Sequence, residues 1–302
     1  MLLLAVETSS DRGSIAVLDG ERLEGEARFP EGLVHGREIT VHLASLMASL
    51  GLSPSRLEAI AIGVGPGSYT GIRVGVTAAK TLAYALRIPV LAYSSLRVLA
   101  ANAGGAAGAP PVDVVTAVDA KQRHVYVARF RVWPLSGEAG GGTGAGSMVR
   151  EEIAEHVLDL SRRVGEDLSR LLAPDSLLIG DGSGALLDAA NREGLGGLCE
   201  GIRRGPQEWD RPLASVLGKL AAKAWASRAA GTGPAFDPEE VHRLTPVYLR
   251  ASEAELKLAA RPQDGGPCAG RDSGRESNRD LGQRDPAAAR GPAAARGTAP
   301  PC

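Results

Sequence analysis

The sequence predicts an α/β protein built as two successive halves of like design, followed by a tail that does not fold. Three observations predict it. The first hundred residues read as three strands joined by tight turns and then as helices alternating with strands, the mixture that gives a helix-covered sheet. After the spacer 103–111, rich in alanine, glycine and proline, a second run of strands begins at Val112, and Ala5-Val6-Glu7 matches Ala117-Val118-Asp119 at an offset of 112. From about Pro262 the chain is proline, glycine, arginine, alanine and serine with almost no large apolar side chain, too little to offset the entropy of ordering. The expected division is 1–103, a flexible joint at 104–111, 112–250, and a disordered tail at 262–302.

Leu2 to Val6 reads as a buried strand that delivers Glu7 to its end, Ser14 to Leu18 as a second strand and Arg22 to Arg28 as a third. Asp19-Gly20 between the last two predicts a type I′ hairpin. Ile39, Leu43, Leu46, Met47 and Leu50 recur at helical spacing over Arg37 to Leu50. Ser53-Pro54 then opens a short helix before a strand at Ala59 to Val64. Val74 to Leu86 reads as a helix, Pro89 to Ala92 as a strand, and Ser94 or Ser95 caps the next helix. In the second half, Val112 to Val118 is a strand ending in Asp119 and Val125 to Val132 is another, with Ser14-Ile15-Ala16 aligned on Tyr126-Val127-Ala128 at the same offset of 112. Gly137 to Gly146 reads as a loop, Glu151 to Leu160 as a helix, Leu177 to Ile179 as a strand, Gly180 to Gly184 as a turn, and Leu213 to Ala230 as a long helix.

The stretch Gly65-Pro66-Gly67-Ser68-Tyr69-Thr70-Gly71-Ile72-Arg73 is the most distinctive in the chain. It links a strand to a helix through three glycines, with Ser68 or Thr70 placed to cap the helix. Such a turn suits either an anion or a close-packed neighbour. The spacing Gly65-x-Gly67-x-x-x-Gly71 is one residue too long for a dinucleotide fingerprint, and Ile72 stands where a phosphate-binding P-loop needs lysine.

With 34 basic against 35 acidic residues, no overall positive field advertises nucleic acid, so any RNA contact is expected to be indirect or made through a complex. The first residues, Met1 to Val6, meet Glu7 too soon for a signal peptide or membrane span, which predicts a cytoplasmic protein with no membrane contact. Cys199, Cys268 and Cys302 are odd in number and widely spaced, which suits neither a disulfide framework nor a zinc site.

The glycine stretch through Val74-Gly75, together with Leu4-Ala5-Val6-Glu7-Thr8-Ser9, Ser94-Ser95-Leu96, Ala117-Val118-Asp119-Ala120 and Pro246-Val247-Tyr248-Leu249-Arg250, resembles the TsaB (YeaZ) family of bacterial tRNA threonylcarbamoyladenosine biosynthesis subunits. The resemblance covers about residues 1 to 250. It implies a fold of the actin, Hsp70 and sugar-kinase (ASKHA) superfamily: two ribonuclease-H-like domains, each a mixed sheet with helices. It also implies a non-catalytic subunit that pairs with a TsaD-like catalytic paralogue and a TsaE-like ATPase. Together they form threonylcarbamoyladenosine beside the anticodon of tRNA.

The paralogue's metal-holding His-x-x-x-His pair is absent, since His35, His42, His124, His156 and His242 include no two residues four apart. Glu7 and Asp119 stand where superfamily ATPases carry the acids that organise magnesium, and they are candidates for weak nucleotide binding or for turn capping. No cofactor, metal site or catalytic residue is expected. Two other readings stay open: an active ASKHA-type ATPase or kinase, and a metallopeptidase. For the partner surface, Gly71, Gly75, Ala78 and Ala79 form a small-residue stripe flanked by Ile72 and Leu82, and Ile39, Leu43, Leu46 and Met47 supply a second apolar face. On that reading Ala79→Arg abolishes pairing and leaves the isolated subunit stable, and without its partner the same surface supports a homodimer.

Overall fold

The computed structural model describes residues 1–30, 36–104, 110–133, 149–227 and 234–251, with side chains described from Ile39 onward in the second of these segments. The expected loop at 137–146, the expected tail, most of the expected joint, and His35, Cys268 and Cys302 lie outside the described residues.

Two five-stranded sheets carry the fold. The first contains β1 (Leu2–Glu7), β2 (Ser14–Asp19), β3 (Arg22–Arg28), β4 (Ala59–Gly63) and β5 (Val90–Tyr93), in the order β3-β2-β1-β4-β5. The second contains β6 (Val112–Asp119), β7 (His124–Val132), β8 (Val149–Asp159), β9 (Leu177–Ile179) and β10 (Arg203–Arg204), in the order β10-β9-β6-β7-β8. Read from the other edge, the second order is the first one repeated. In each sheet the opening strand pairs antiparallel with the next and parallel with the fourth. Both are ribonuclease-H-like sheets, as expected of an ASKHA-type protein.

The repeat in the sequence is therefore a repeat in space, with one change of register. Ala5 pairs with Ala16, but Ala117 pairs with Val127, so the second strand of the repeat aligns at 111 and not at 112. Between the closing pairs Glu7↔Ser14 and Asp119↔Val125, the second connection is one residue shorter than the first. The β2–β3 hairpin also differs from expectation. Of its two central residues only Gly20 has positive φ, at 56°, which fits a type II′ turn.

Alternation along the strands sorts the core. Leu3, Ala5, Ala16 and Leu18 point to one face of the first sheet, while Leu2, Leu4, Val6, Ile15 and Val17 point to the other. The second face is covered by α1 (Gly36–Ser49) and α2 (Tyr69–Leu86). The first face is shared with the second sheet through α3 (Ser95–Ala101) and α7 (Ala214–Ala226). The far face of the second sheet is closed by α4 (Gly165–Leu171) and α5 (Ser183–Arg192), with α6 (Gly196–Cys199) beyond.

The expected helix at Glu151 to Leu160 is instead the edge strand β8. Its glutamates favour a helix locally, but pairing along β7 from Val132↔Val149 to His124↔Asp159 completes the three-stranded antiparallel part of the sheet and overrides that preference. Helix α2 starts at Tyr69, five residues before expectation. The last helices return to the first sheet: Ala214 N–H donates to Ser14 Oγ at 2.9 Å, and α8 (Pro238–Arg243) packs on α2. Among the described residues, no helix is long and apolar enough to cross a membrane.

Candidate functional site

The C-terminal ends of β1, β4, β6 and β9 open onto a cleft of about 540 Å³. Strand ends place functional groups here because the chain must turn there, and the turning residues are the ones free of the ladder. Ser9 to Asp11 and the glycine turn line one side; Asp119, Lys121, Asp181 and Asp210 line the other, together with Val247, Tyr248, Arg250 and Ala251.

The glycine turn presses against its own neighbours. Gly65 has φ of 100°, and a Cβ there would stand 2.7 Å from Ile72 Cδ1 and 3.0 Å from Val247 O. Ser68 donates its N–H to Ser9 O at 2.6 Å and accepts from Gly71 N–H at 3.3 Å, which caps α2. A Cβ on Gly71 would lie 2.1 Å from Thr8 O, and one on Gly75 would lie 2.2 Å from Thr8 Oγ1. Of the two uses open to such a turn, the close-packed neighbour is the one observed, and that neighbour is Thr8-Ser9, the start of the loop that leaves β1.

Glu7 is fully buried and does not line the cleft. Its Oε1 accepts from Ser9 N–H at 2.8 Å, and both oxygens accept from the Ser95 hydroxyl at 3.1–3.3 Å. Ser95 Oγ in turn accepts from Gly65 N–H at 3.2 Å, so Glu7 braces the glycine turn from below. The space it fills is left by Gly63, whose missing Cβ would lie 1.9 Å from Glu7 Oε2. Burial pushes the Glu7 carboxyl above the ordinary range, against the donors at Ser9, Ser95 and Thr8. Folded chains thus keep the proton at pH values where unfolded chains have lost it, and stability falls as pH rises from the ordinary carboxyl value through the raised one. In Glu7→Gln this dependence is expected to vanish. Urea unfolding between pH 4 and pH 8 checks it: the difference in stability must move in favour of the variant as pH rises.

Asp119 does reach the cleft. Burial pushes its carboxyl up, but Lys121 outweighs this through its ammonium at 2.8 Å and its N–H at 2.8 Å, and the net shift is downward. Asp119 N–H donates to Asp181 Oδ1 at 2.8 Å. Withdrawal from water raises the Asp181 carboxyl, and the charges of Asp119 and Asp11 raise it further. Asp11 is held low by a two-pronged pair with Arg211 at 2.7 and 3.0 Å, and Asp210 pairs with Arg204 at 2.6 Å. A wall of this kind can hold hydrogen-bond donors of a ligand. Among the described residues, no group of three or more histidines, cysteines, aspartates or glutamates is arranged to hold a metal ion.

Asp181 has a signal in the sequence that the turn reading passes over. Gly180-Asp181-Gly182-Ser183 follows β9 and opens α5 as Gly65-Pro66-Gly67-Ser68 follows β4 and opens α2. The shared Gly-x-Gly-Ser marks the same turn in both halves. Asp11, Lys121 and Asp210 have no such marker.

The residues expected at a partner surface are placed as follows. Ile39, Leu43, Leu46, Met47, Ile72 and Ala79 are buried in the chain's own core beneath α1 and α2, Gly71 and Gly75 face Thr8, and Ala78 and Leu82 are half-buried at its edge. One sheet face absorbs the whole apolar stripe of both helices. Ala79 is 0% exposed, so the expectation that Ala79→Arg spares the fold is corrected. The outward positions of the two helices include Val41, Ala44 and Ala48, and Arg73, Thr77 and Thr81.

The model of the TsaD family, tRNA N6-adenosine threonylcarbamoyltransferase, matches residues 33–141. The tRNA threonylcarbamoyladenosine biosynthesis protein TsaB of Bacillus subtilis is 30% identical over 258 residues, 85% of this chain and 97% of the relative. The protein of the same name from Haemophilus influenzae is 34% identical over 132 residues, which span 43% of this chain and 53% of the relative. A crystal structure from Pseudomonas aeruginosa, described as an uncharacterized protein with similarity to peptidase YEAZ, superposes with a TM-score of 0.60 at 27% identity, covering 82% of this chain and 99% of that one. Near-complete coverage of the Bacillus relative, joined to the doubled sheet and the glycine turn locked onto Thr8 and Ser9, establishes that the chain belongs to the TsaB (YeaZ) family.

Proposed function

We propose that this chain is the non-catalytic partner subunit in the formation of threonylcarbamoyladenosine on tRNA, acting with a TsaD-like catalytic paralogue and a TsaE-like ATPase. Relatives that carry the TsaB name support the pathway, and the match of residues 33–141 to the TsaD family supports descent from an ancestor shared with the proposed partner. The observation that carries the non-catalytic part is the state of the strand-end acids. Glu7 is spent on bracing the glycine turn, and Asp119 is engaged by Lys121. The proposed division into an N-terminal unit, 1–103, and a C-terminal unit, 112–250, follows the repeated strand order, and the proposed setting is the cytoplasm.

The partner face proposed is the outer side of α1 and α2, with Ala78 and Leu82 at its edge and the buried stripe supporting it from within. Val41, at 57% exposure, is its most exposed large apolar side chain. Pairing there buries surface that a homodimer covers when the partner is missing.

The test is co-purification with the catalytic paralogue and the ATPase, then reconstitution of tRNA modification with and without this chain. Val41→Arg and Thr77→Arg are each expected to weaken pairing at least tenfold, read by titration calorimetry, with the melting temperature of the isolated chain within about 2 °C of wild type, since exposed substitutions cost little. Undiminished pairing in both variants removes this face. Magnesium-dependent nucleotide turnover by the chain alone, lost in Asp119→Ala, replaces the proposal with the ATPase reading.

A further inference from the structure

The motif Pro246-Val247-Tyr248-Leu249-Arg250 has no part in the partner face proposed above, yet it has a definite place. After α8 begins, the chain runs back over α2. Tyr84 Oη donates to Pro238 O at 2.7 Å, and Lys80 Nζ donates to His242 O at 2.8 Å and to Leu244 O at 3.1 Å. Val247 N–H donates to Val64 O at 2.8 Å, and the Tyr248 ring stacks on Tyr69, the first residue of α2, with centroids 4.7 Å apart. Arg250 then crosses the cleft. Its Nη1 donates to Ala120 O at 2.8 Å and to Lys121 O at 3.3 Å, and its Nη2 donates to Gln122 Oε1.

The turn that Arg250 grips is the most unusual stretch of backbone among the described residues. Lys121, Gln122 and Arg123 have φ of 63°, 52° and 61°, and none is glycine. A single non-glycine residue in the left-handed region is uncommon; three in succession persist only where the surroundings over-determine them. From inside the turn, Asp119 takes the N–H of Lys121, and His124 N–H closes on Lys121 O. From outside it, the guanidinium fork spans three acceptors at once, a geometry that a lysine ammonium does not reproduce.

We propose that the segment Pro238 to Arg250 is a clasp tying α2 to the left-handed turn between β6 and β7, so that the cleft wall bearing Asp119 and Lys121 keeps its shape only while the clasp lies on α2. A displacement of α2, by whatever docks on its outer side, then reaches the cleft through the clasp. This holds whether or not the docking partner is the one proposed above, because it concerns the isolated chain.

Hydrogen exchange of the full chain tests it, read in a peptide spanning Asp119 to Val125. Three amides there report on the turn: Ala120 donating to His124 O at 2.9 Å, Lys121 to Asp119 Oδ1 at 2.8 Å, and His124 to Lys121 O at 3.0 Å. Arg250→Ala is expected to speed their exchange at least tenfold with peptides of β1 and β4 unchanged, and Arg250→Lys to recover little of the protection. Lys80→Met, at the far end of the clasp, is expected to speed the same amides at least threefold. Unchanged exchange in Arg250→Ala overturns the clamp. Faster exchange in Arg250→Ala with no response to Lys80→Met leaves only a local brace and overturns the coupling. Where Arg250→Ala loosens the whole chain, Lys80→Met and Arg250→Lys decide alone: the turn must respond while β1 does not.

Discussion

Ala79→Arg is expected to destabilise the folded state severely. Ala79 lies on the face of α2 that meets the first sheet, among Ile39, Met47, Ile62 and Val76, and is 0% exposed. An arginine there has two ways out, and both are costly. Keeping its charge inside means losing hydration with no partner, a penalty of several kcal/mol. Threading the side chain outward forces α2 off the sheet, and overpacking of a dense core costs roughly 1–3 kcal/mol before any strand is disturbed. Against a total stability of about 5–15 kcal/mol, either route removes a large part of the margin. The check is the soluble yield and the thermal transition followed by circular dichroism, with Thr77→Arg, two residues earlier and exposed, as the control. A cooperative transition within about 5 °C of wild type in Ala79→Arg would mean that α2 does not pack as described.

Gly75→Ala should be nearly as damaging, for a reason that a second substitution can expose. Alanine is the better helix former by about 1 kcal/mol, so on an exposed helix the change would stabilise. Here its methyl would stand 2.2 Å from Thr8 Oγ1, and the collision decides the sign, with a net loss of about 3 kcal/mol expected. Thr8→Ala removes the obstructing oxygen and with it the hydrogen bond to Gly71 O at 2.8 Å, a loss of about 1–2 kcal/mol. In the double variant the new methyl meets the Cβ retained at position 8 at 3.3 Å and Ile62 Cδ1 at 3.4 Å, contacts that small shifts relieve. The pair should therefore be more stable than the sum of the singles by about 2 kcal/mol, measured by urea unfolding in a double-mutant cycle. Strict additivity would place the obstruction elsewhere.

The same two helices show how far the sequence carries. Period-3.6 spacing in Ile39, Leu43, Leu46 and Met47 announced α1, and the small residues Gly71, Gly75 and Ala79 announced a close approach along α2. What the spacing left open was the identity of the neighbour. A stripe that fits a partner helix fits the chain's own sheet equally well, because only side-chain volume is encoded. Contact with Thr8, 67 residues before Gly75, is set by the parallel pairing of β1 with β4. The same holds for β8, whose glutamates suit a helix until β7 offers a ladder.

At the cleft, local chemistry marked the turns: Gly65-Pro66-Gly67-Ser68, its echo Gly180-Asp181-Gly182-Ser183, and the strand-end acids Glu7 and Asp119. Their roles diverged for reasons of burial. Glu7 turned inward because Gly63 leaves room for a carboxylate and Ser95 supplies a hydroxyl there, while Asp119 stayed at the surface of the cleft beside Lys121. By itself, then, the sequence determined the opening strand pair of each half, the capped helices and the positions of the glycine turns, since each depends on residues within a few positions of one another. Only the tertiary structure decided which face of each helix is consumed, where α7 and the C-terminal segment return, and which acid meets solvent, because those outcomes depend on groups brought together from as far apart as Arg250 and Ala120.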